Sequence, residues 1–327
     1  MAANPSISSL RGGVDPVLSA ELAGLVNDAE RYLSAQVVPP RDGVAVDARE
    51  SGTVITSSGL FGDASTPYKR VIGASNNHTP GEDVGNIKYQ SDEFNMADHV
   101  DGRKINGALI DFLGFTVTDL FARLSIGREK DLNTLLTTAG NWTDSFTAGT
   151  AWNNASADPF NDIDTMMTAK GKFGVDPNTV YLSKAAFDAL RRNPGVKQYF
   201  SVDSQRNLIS KPRMIEAIAA ELGIPEARVF VQETSHNTAL AGEPKSIEYL
   251  NGANRFCWIG YIDTGAGVIA GEQGLTMRPT AAARVVTEAP AVLTDELLKP
   301  YKGPYVLAKW QEALFSVNTE LGGLITC

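Results

Sequence analysis

The sequence predicts an α+β fold organised around one long helix, and three observations support this prediction. Apolar residues at helical spacing mark one face from about residue 106 to 138. A glycine-rich stretch, residues 41–104, precedes that helix and contains only short β-like pieces. After residue 159, apolar strand-like segments alternate with amphipathic helical ones. The chain has 327 residues, 43% of them hydrophobic, which suffices for one large core or two lobes.

Residues 1–40 are predicted to form a leading segment with one short helix. Its apolar positions recur at helical spacing, Asp15-Pro16 fits the first turn, and Pro39-Pro40 ends the pattern. The helical positions are Leu18, Leu22, Leu25, Val26 and Ala29. This spacing is compatible with packing on the helix's own domain or on a neighbouring molecule, and it does not choose between them.

Residues 41–104 are predicted to form a long two-stranded excursion with a turn-rich tip at residues 74–81. Its strand-like pieces are Thr53–Thr56 and Ile87–Tyr89. A structure-poor stretch of this length is unusual inside a compact domain, and an isolated two-stranded ribbon is only marginally stable in water. We therefore expect a second subunit to supply the surface on which the ribbon lies.

The segment that follows has the strongest pattern of apolar residues at helical spacing in the chain. Its length of about 30 residues corresponds to roughly 45 Å of rod. Gly114 and Gly127 each weaken it by about 1 kcal/mol relative to alanine, so these are the two positions at which the helix can kink or break. Its apolar face comprises Leu109, Phe112, Leu113, Val117, Leu120, Leu124, Leu132, Leu135 and Leu136.

The segment after residue 159 is predicted to be α/β. A turn at Asn251-Gly252 is expected to join a strand at Ile247–Leu250 to one at Phe256–Ile262. The remaining C-terminal third alternates in strand-like pieces. The predicted elements are helix Phe160–Lys172, strand Val180–Leu182, helix Lys184–Arg192 capped by Ser183, a helix from Pro212 to Gly223, and strands Arg228–Gln232, Ile247–Leu250 and Phe256–Ile262.

Composition restricts the classes of function. The formal net charge of −9 argues against a protein whose main task is to grip nucleic-acid phosphates. No apolar run approaches the roughly 20 residues that span a bilayer, and the N-terminus lacks a secretory pattern, so synthesis in a cytoplasm without membrane insertion is expected. Two cysteines are too few for a disulfide framework or a cysteine-based zinc site. We expect Cys257 to be a buried small hydrophobe and Cys327, the last residue, to be mobile.

The sequence contains no recognisable catalytic motif, and we expect no catalytic, cofactor-binding or metal-binding residues. Gly265–Gly271 superficially resembles a dinucleotide fingerprint, but its third glycine is one residue late and no βαβ unit surrounds it. The acidic pairs Glu82-Asp83 and Asp92-Glu93 are most simply solvated charge. Because carboxylate pairs meet only in space, an α/β enzyme with such a pair stays open as an alternative of another class.

Two stretches carry a resemblance to a known family. In the first, residues 126–142, a helix ends with Arg128-Glu129, a leucine-rich turn and a loop containing Trp142. The second stretch is residues 152–196. Ser156–Pro159 come first, and a helix opens at Asp162-Ile163. A strand that leads directly into a helix follows, and that helix ends at Asn193-Pro194. Their order resembles that of the major capsid proteins of tailed bacteriophages, which share the Hong-Kong-97-like fold. The similarity is one of pattern over nearly the whole chain, and it is densest from about residue 107 to 262.

The resemblance implies an architecture for the whole chain. Residues 1–40 correspond to an N-terminal arm and 41–104 to an extended β-hairpin loop that crosses a neighbouring subunit. Residues 105–175 and 263–327 correspond to a peripheral domain containing the long spine helix, and 176–262 to an axial α/β domain.

The resemblance also implies a function. Copies are expected to form hexamers and pentamers of an icosahedral head that encloses double-stranded DNA without sequence-specific binding, located in the virion and assembled in the host cytoplasm. Scaffold, portal and decoration proteins are possible further partners. An encapsulin-like cellular nanocompartment is the alternative within the same fold. The predicted inter-subunit contacts combine cations with aromatic rings, and they are Tyr68, Lys69, Arg70, Lys88 and Tyr89.

Overall fold

The computed structural model describes most of the chain in twelve ranges. These are residues 32–42, 50–55, 84–89, 91–100, 112–172, 175–199, 209–239, 244–264, 269–271, 274–277, 280–295 and 305–327. The helices in these ranges are α1 (Leu33–Val37), α2 (Phe112–Thr137), α3 (Pro159–Gly171), α4 (Lys184–Arg192), α5 (Pro194–Tyr199) and α6 (Lys211–Leu222). The strands are β1 (Pro40–Asp42), β2 (Glu50–Ile55), β3 (Val84–Tyr89), β4 (Asp92–His99), β5 (Asp144–Thr147), β6 (Thr179–Ser183), β7 (Val229–Gln232), β8 (Ser235–Asn237), β9 (Ile247–Tyr249), β10 (Phe256–Gly260), β11 (Ile269–Gly271), β12 (Gly274–Met277), β13 (Ala282–Asp295), β14 (Tyr305–Ser316) and β15 (Gly322–Thr326).

The chain divides into two compact units, each assembled from separate stretches of sequence. The first unit comprises Met1–Ala48, Gln90–Leu132 and Arg284–Leu314. The second comprises Arg49–Tyr89, Asn133–Ala283 and Phe315–Cys327.

In the first unit, α2 packs against a four-stranded sheet with the strand order β1-β13-β14-β4. Three residues of the predicted stripe, Val117, Leu120 and Leu124, lie in this core with Trp310. The helix is continuous through Gly114 and Gly127, so neither glycine breaks it. Burial of the apolar face outweighs a cost of about 1 kcal/mol per glycine.

In the second unit, helices cover a five-stranded mixed sheet with the order β5-β15-β10-β6-β7. Helix α4 has the predicted bounds, and the Ser183 hydroxyl accepts a hydrogen bond from the Ala186 N–H at 3.2 Å. Gly223 ends α6 in the left-handed conformation, with φ of 64°, as its position in the sequence predicts.

The last turns of α2 belong to the second unit, where side chains from the following loop close the helix. Trp142 Nε1 donates to the Leu136 carbonyl at 3.1 Å, and Asn141 Nδ2 donates to the Leu135 carbonyl at 2.8 Å. These bonds satisfy carbonyls that the helix end leaves without intrahelical partners. The Trp142 ring also packs against Trp258, with ring centroids 5.4 Å apart.

The excursion at residues 41–104 departs from the expectation of an isolated ribbon. Strands β2 and β3 pair antiparallel, as predicted. Strand β12 adds in parallel to β2, and β11 pairs with β12, which gives a four-stranded sheet. Because four strands are more stable than two, the chain itself supplies part of the support that we expected from a neighbour.

Two further expectations were wrong. Strand β9 does not pair with β10 across Asn251-Gly252: it pairs with β8, whereas β10 lies between β15 and β6. Residues Cys257–Gly260 of β10 are buried, which is the environment of a central strand.

Cys327 is also not the mobile terminus that we expected. Its N–H donates to the Arg255 carbonyl at 3.1 Å, and its side chain packs on the core that contains the buried Cys257. Burial raises the pKa of both thiols.

Candidate functional site

The contact residues predicted from sequence are only partly placed. Tyr68, Lys69 and Arg70 lie outside the described residues. Lys88 and Tyr89 are in strand β3, opposite Ser51 and Glu50 of β2. Their role in contacts between subunits stays a prediction.

An exposed apolar surface lies on the two-stranded ribbon formed by β8 and β9, hereafter the β8–β9 ribbon. Ile247 is 68% exposed and Tyr249 is 44% exposed. Because alternate residues of a strand point to the same face, these two side chains share one face of the ribbon, and Glu248 lies on the other. A two-stranded ribbon with large exposed apolar side chains is typical of a surface that another molecule covers.

The ribbon has a defined turn despite its small size. The Asn237 side-chain oxygen accepts hydrogen bonds from the Ser246 N–H at 2.9 Å and the Ala239 N–H at 3.2 Å. The sequence indicates a strand at Ile247–Leu250, but alternation alone does not say whether the apolar face meets the protein's own core. Sequence reasoning therefore missed this surface.

Among the described residues of the first unit, one large apolar side chain is exposed, on the outer face of α2. Phe115 is 66% exposed. On the same helix, Arg123 and Asp119 form an exposed ion pair at 2.8 Å. A single exposed ring is common on protein surfaces and does not by itself mark a site.

The core of the first unit contains a buried charge network of Arg128, Arg284 and Glu312. Arg128 Nε lies 3.0 Å from one carboxylate oxygen of Glu312. Arg284 donates to the other oxygen through Nε, at 3.0 Å, and through Nη2. All three side chains are at most 4% exposed. The network joins α2, β13 and β14, so it fixes the long helix against its sheet.

Burial controls the electrostatics of this network. It lowers the pKa of Arg128 and raises the pKa of Glu312, in each case against the opposing pull of the oppositely charged partner. Arg128 also stacks over the Trp310 ring at 5.5 Å from its centroid. Each buried charge needs its oppositely charged partner, because removing that partner leaves an unpaired charge in the core and destabilises the fold.

The neighbouring residue, Glu129, binds the segment that precedes the first strand. Its carboxylate accepts a hydrogen bond from the backbone N–H of Ser34 at 2.7 Å, and its side chain is fully buried. Ser34 is in the first turn of α1, where Tyr32 provides no side-chain cap. The Arg128-Glu129 pair on which the family resemblance rests therefore anchors two different parts of the unit.

In the second unit, Asn193 organises the loop at residues 152–157. Its side-chain amide, 1% exposed, donates to the carbonyls of Trp152 and Asn154, each at 3.0 Å. Its side-chain oxygen accepts from the Val196 N–H at 3.2 Å, at the start of α5. One buried side chain thus holds two adjacent backbone segments in register.

Neither a metal-binding cluster nor a membrane-spanning helix is found in the described ranges. There, no group of three or more His, Cys, Asp or Glu side chains is arranged to hold a metal ion. No helix in these ranges is both long and apolar enough to cross a bilayer. The raised thiol pKa values oppose formation of the reactive thiolate at either cysteine.

Two comparisons with known proteins find similarity to phage capsid proteins. A family model described as phage major capsid protein E matches residues 137–216, from the end of α2 into α6. In these residues the chain is similar to the phage major capsid proteins. The matched segment contains both the loop that closes α2 and the loop that Asn193 organises.

Solved structures share the capsid fold across almost the whole chain. A phage-related protein from Bordetella bronchiseptica RB50 is 13% identical, with a TM-score of 0.69 over 96% of this chain and 97% of that one. The capsid of cyanophage P-SCSP1u is 8% identical, with a TM-score of 0.53 over 100% and 91%. The capsid of Myoviridae phage XM1 is 10% identical, with a TM-score of 0.51 over 90% of each chain. No curated protein matches the sequence. The Hong-Kong-97-like fold that the resemblance implies is confirmed.

Proposed function

We propose that this chain forms the shell of a tailed-phage head, with copies joining as hexamers and pentamers into an icosahedral container for double-stranded DNA. The observation that carries the proposal is the exposed apolar face of Ile247 and Tyr249 in a chain with a capsid fold. The net charge of −9 is compatible with enclosing DNA without binding its phosphates tightly. The chain then acts structurally, without catalysis.

Self-association gives the β8–β9 ribbon a physical role. A specific protein interface buries on the order of 1,200–2,000 Å², far more than two side chains supply. Ile247 and Tyr249 are therefore the apolar centre of a larger contact. A head-to-tail contact of this kind closes into a ring when the rotation between copies fits, as a capsomer requires.

The parts of the chain have corresponding roles in the proposed shell. Residues 1–40 are the N-terminal arm, and 41–104 the extended loop. Residues 105–175 and 263–327 form the peripheral domain, and 176–262 the axial domain at the capsomer centre. Assembly takes place in the host cytoplasm, and scaffold, portal and decoration proteins are candidate partners of the shell in the virion.

Electron microscopy and analytical ultracentrifugation of the purified chain test the proposal. Shells, rings or capsomers are expected for the wild-type chain. The double variant Ile247→Ser with Tyr249→Ser is expected to remain folded and to lose these assemblies. Glu248→Ser, on the opposite face of the same strand, is the matched control and is expected to assemble.

Two outcomes would contradict the proposal or redirect it. A wild-type chain that stays monomeric at all concentrations and salt conditions overturns shell formation. Shells that enclose an enzyme and no DNA when isolated from the natural host identify the encapsulin-like alternative.

A further inference from the structure

The outer edges of the β8–β9 ribbon carry backbone groups that the ribbon itself does not pair. The Thr238 N–H donates to the Ser246 carbonyl at 2.8 Å, and the Leu250 N–H donates to the Thr234 carbonyl at 3.1 Å. In an antiparallel pair, residues that bond across the strands alternate with residues whose N–H and C=O groups point away from the partner strand. The even-numbered residues of this ribbon therefore bond inward, and the odd-numbered ones point outward.

Four exposed residues present these outward groups, and they are Ser235 and Asn237 of β8 and Ile247 and Tyr249 of β9. In the part of the chain that the structure describes, no strand pairs with either outer edge, and no group bonds to the N–H of Ile247 or Tyr249. Natural proteins protect such edges with proline or lysine, and neither strand contains one. Both edges are therefore open to the addition of a further strand.

Symmetry identifies a second copy of the chain as the source of that strand. The chain has the capsid fold, and a capsomer requires a contact between copies that a rotation repeats. Two-fold pairing of β9 with β9 joins one edge of each copy and leaves the β8 edges open. Pairing of β9 with the β8 of the next copy uses both edges of every copy and keeps neighbouring strands antiparallel. Closure of such a ring removes all open edges.

The side chains favour the same pairing. In the register that repeats the one within the ribbon, Tyr249 lies opposite Ser235 of the next copy, whose small side chain leaves space for the ring. Glu248 then lies opposite His236 of the next copy, which offers an imidazole to the carboxylate. Two-fold pairing of Tyr249 with Ile247 would place Glu248 opposite a second Glu248, and like charges directly opposite each other are destabilising.

We propose that β9 of one copy pairs antiparallel with β8 of the next copy, so that the ribbons of a capsomer form one closed sheet around its axis. The outward backbone groups of Ile247 and Tyr249 then bond to the outward groups of β8 in the next copy. The proposal rests on the proposed function, because it requires copies arranged in a ring.

Ser235→Pro tests the backbone part of the contact. The Ser235 N–H points out of the ribbon, so proline removes no bond within it, and an edge strand tolerates proline at such a position. The variant is expected to keep the wild-type melting temperature. In analytical ultracentrifugation it should need at least about tenfold more protein to form capsomers, because each contact loses a hydrogen bond. Ser235→Ala keeps the N–H and is the matched control, which is expected to assemble like the wild type.

Disulfide trapping tests which strands pair. One subunit carries His236→Cys, and a second, differently tagged subunit carries Glu248→Cys. The two are mixed, assembled and oxidised with copper–phenanthroline. Positions 236 and 248 face each other across the proposed contact as a non-hydrogen-bonded pair, with Cα atoms about 4.5 Å apart, which is within the range of a disulfide. A heterodimer band on a non-reducing gel is expected.

Two control samples accompany the trapping experiment. Glu216→Cys, at an exposed position on α6, replaces Glu248→Cys in the first control and is expected to give no band. The second control contains only the Glu248→Cys subunit, which is also expected to give no band. A homodimer in that sample would show two-fold pairing of β9 and would overturn the head-to-tail contact.

The outcomes separate the strand pairing from the proposed function. If wild-type chains form shells but the heterodimer band is absent, or Ser235→Pro assembles as well as Ser235→Ala, the pairing is wrong and shell formation stands. If the wild-type chain forms no assemblies, the pairing and shell formation both fail. If Ser235→Pro does not fold, the trapping experiment alone decides.

Discussion

Glu129 caps a helix that lies 95 residues earlier in the chain, by accepting the backbone N–H of Ser34 at 2.7 Å. The first N–H groups of a helix have no partner within it, and α1 has no local side-chain cap. A carboxylate from the middle of α2 takes that role. The long helix therefore fixes the point at which the N-terminal segment enters the first unit.

Glu129→Ala is expected to destabilise the first unit by about 1–3 kcal/mol, because it leaves a buried N–H without its acceptor. Hydrogen exchange at residues 33–37 should accelerate more than exchange elsewhere in the unit. Glu129→Gln keeps a side-chain oxygen and should cost less. Equal exchange rates in all three proteins would contradict the capping role, and Glu216→Ala on the exposed side of α6 serves as the neutral control.

Glu312→Gln is expected to destabilise the first unit by about 3–5 kcal/mol, since it leaves the charges of Arg128 and Arg284 buried without their counterion. Chemical denaturation measures the change in the free energy of unfolding. Asp119→Asn, which breaks the exposed pair with Arg123, is the comparison and should cost less than about 1 kcal/mol. If both variants lost a similar free energy of unfolding, the buried network would stabilise the unit no more than the exposed ion pair does.

Gly322→Ala is expected to destabilise the second unit by about 1–3 kcal/mol through overpacking. A methyl group at this position would lie 2.5 Å from the Trp142 ring and 3.1 Å from Trp258 Nε1. The Trp142 ring cannot move freely, because its Nε1 is bonded to the Leu136 carbonyl. Thermal unfolding checks the effect against Gly149→Ala, where no atom lies within 4 Å. An unchanged melting temperature for Gly322→Ala would mean that the rings relax at no cost.

Asp131→Asn is expected to stabilise the first unit at neutral pH. Partial desolvation of its carboxyl group, followed by the nearby carboxylates of Asp92 and Glu312, raises the pKa of Asp131 above its ordinary value of 3.8. Between 3.8 and the raised value the folded chain binds more protons than the unfolded chain, so stability falls as pH rises through this window. The variant cannot ionise and should lose this dependence.

Urea titrations from pH 3 to pH 7 measure the effect at Asp131. The free energy of unfolding of the variant should exceed that of the wild type at pH 7, and the difference should disappear at pH 3. A constant difference across the range would show that packing, and not ionisation, separates the two proteins.

Local signals in the sequence predicted the helices and their ends well. Ser183, Asn193-Pro194 and Gly223 mark helix boundaries through interactions within a few residues, so their meaning does not depend on the rest of the fold. The stripe of α2 was visible for the same reason. The order of these elements was enough to indicate the capsid family, which the comparisons then supported.

Strand partners were harder to predict, because pairing joins residues far apart in sequence. The alternation at Ile247–Tyr249 is the same whether the apolar face is buried or exposed, and only the absence of a covering element in the described residues distinguishes the two. The addition of β12 to β2 joins residues 52–54 to 275–277, and no local pattern encodes it.

The sequence by itself determined α3, α4, α6, β6 and β7 of the second unit, the long apolar-striped helix and the resemblance to the capsid family. It did so because hydrophobic periodicity and capping act over a few residues. Only the tertiary structure decided that Glu129 caps α1, that Glu312 joins two buried arginines, and that Ile247 and Tyr249 face outward. Each of these depends on which distant groups are brought within a few ångströms, and that proximity is set by the packing of the whole unit.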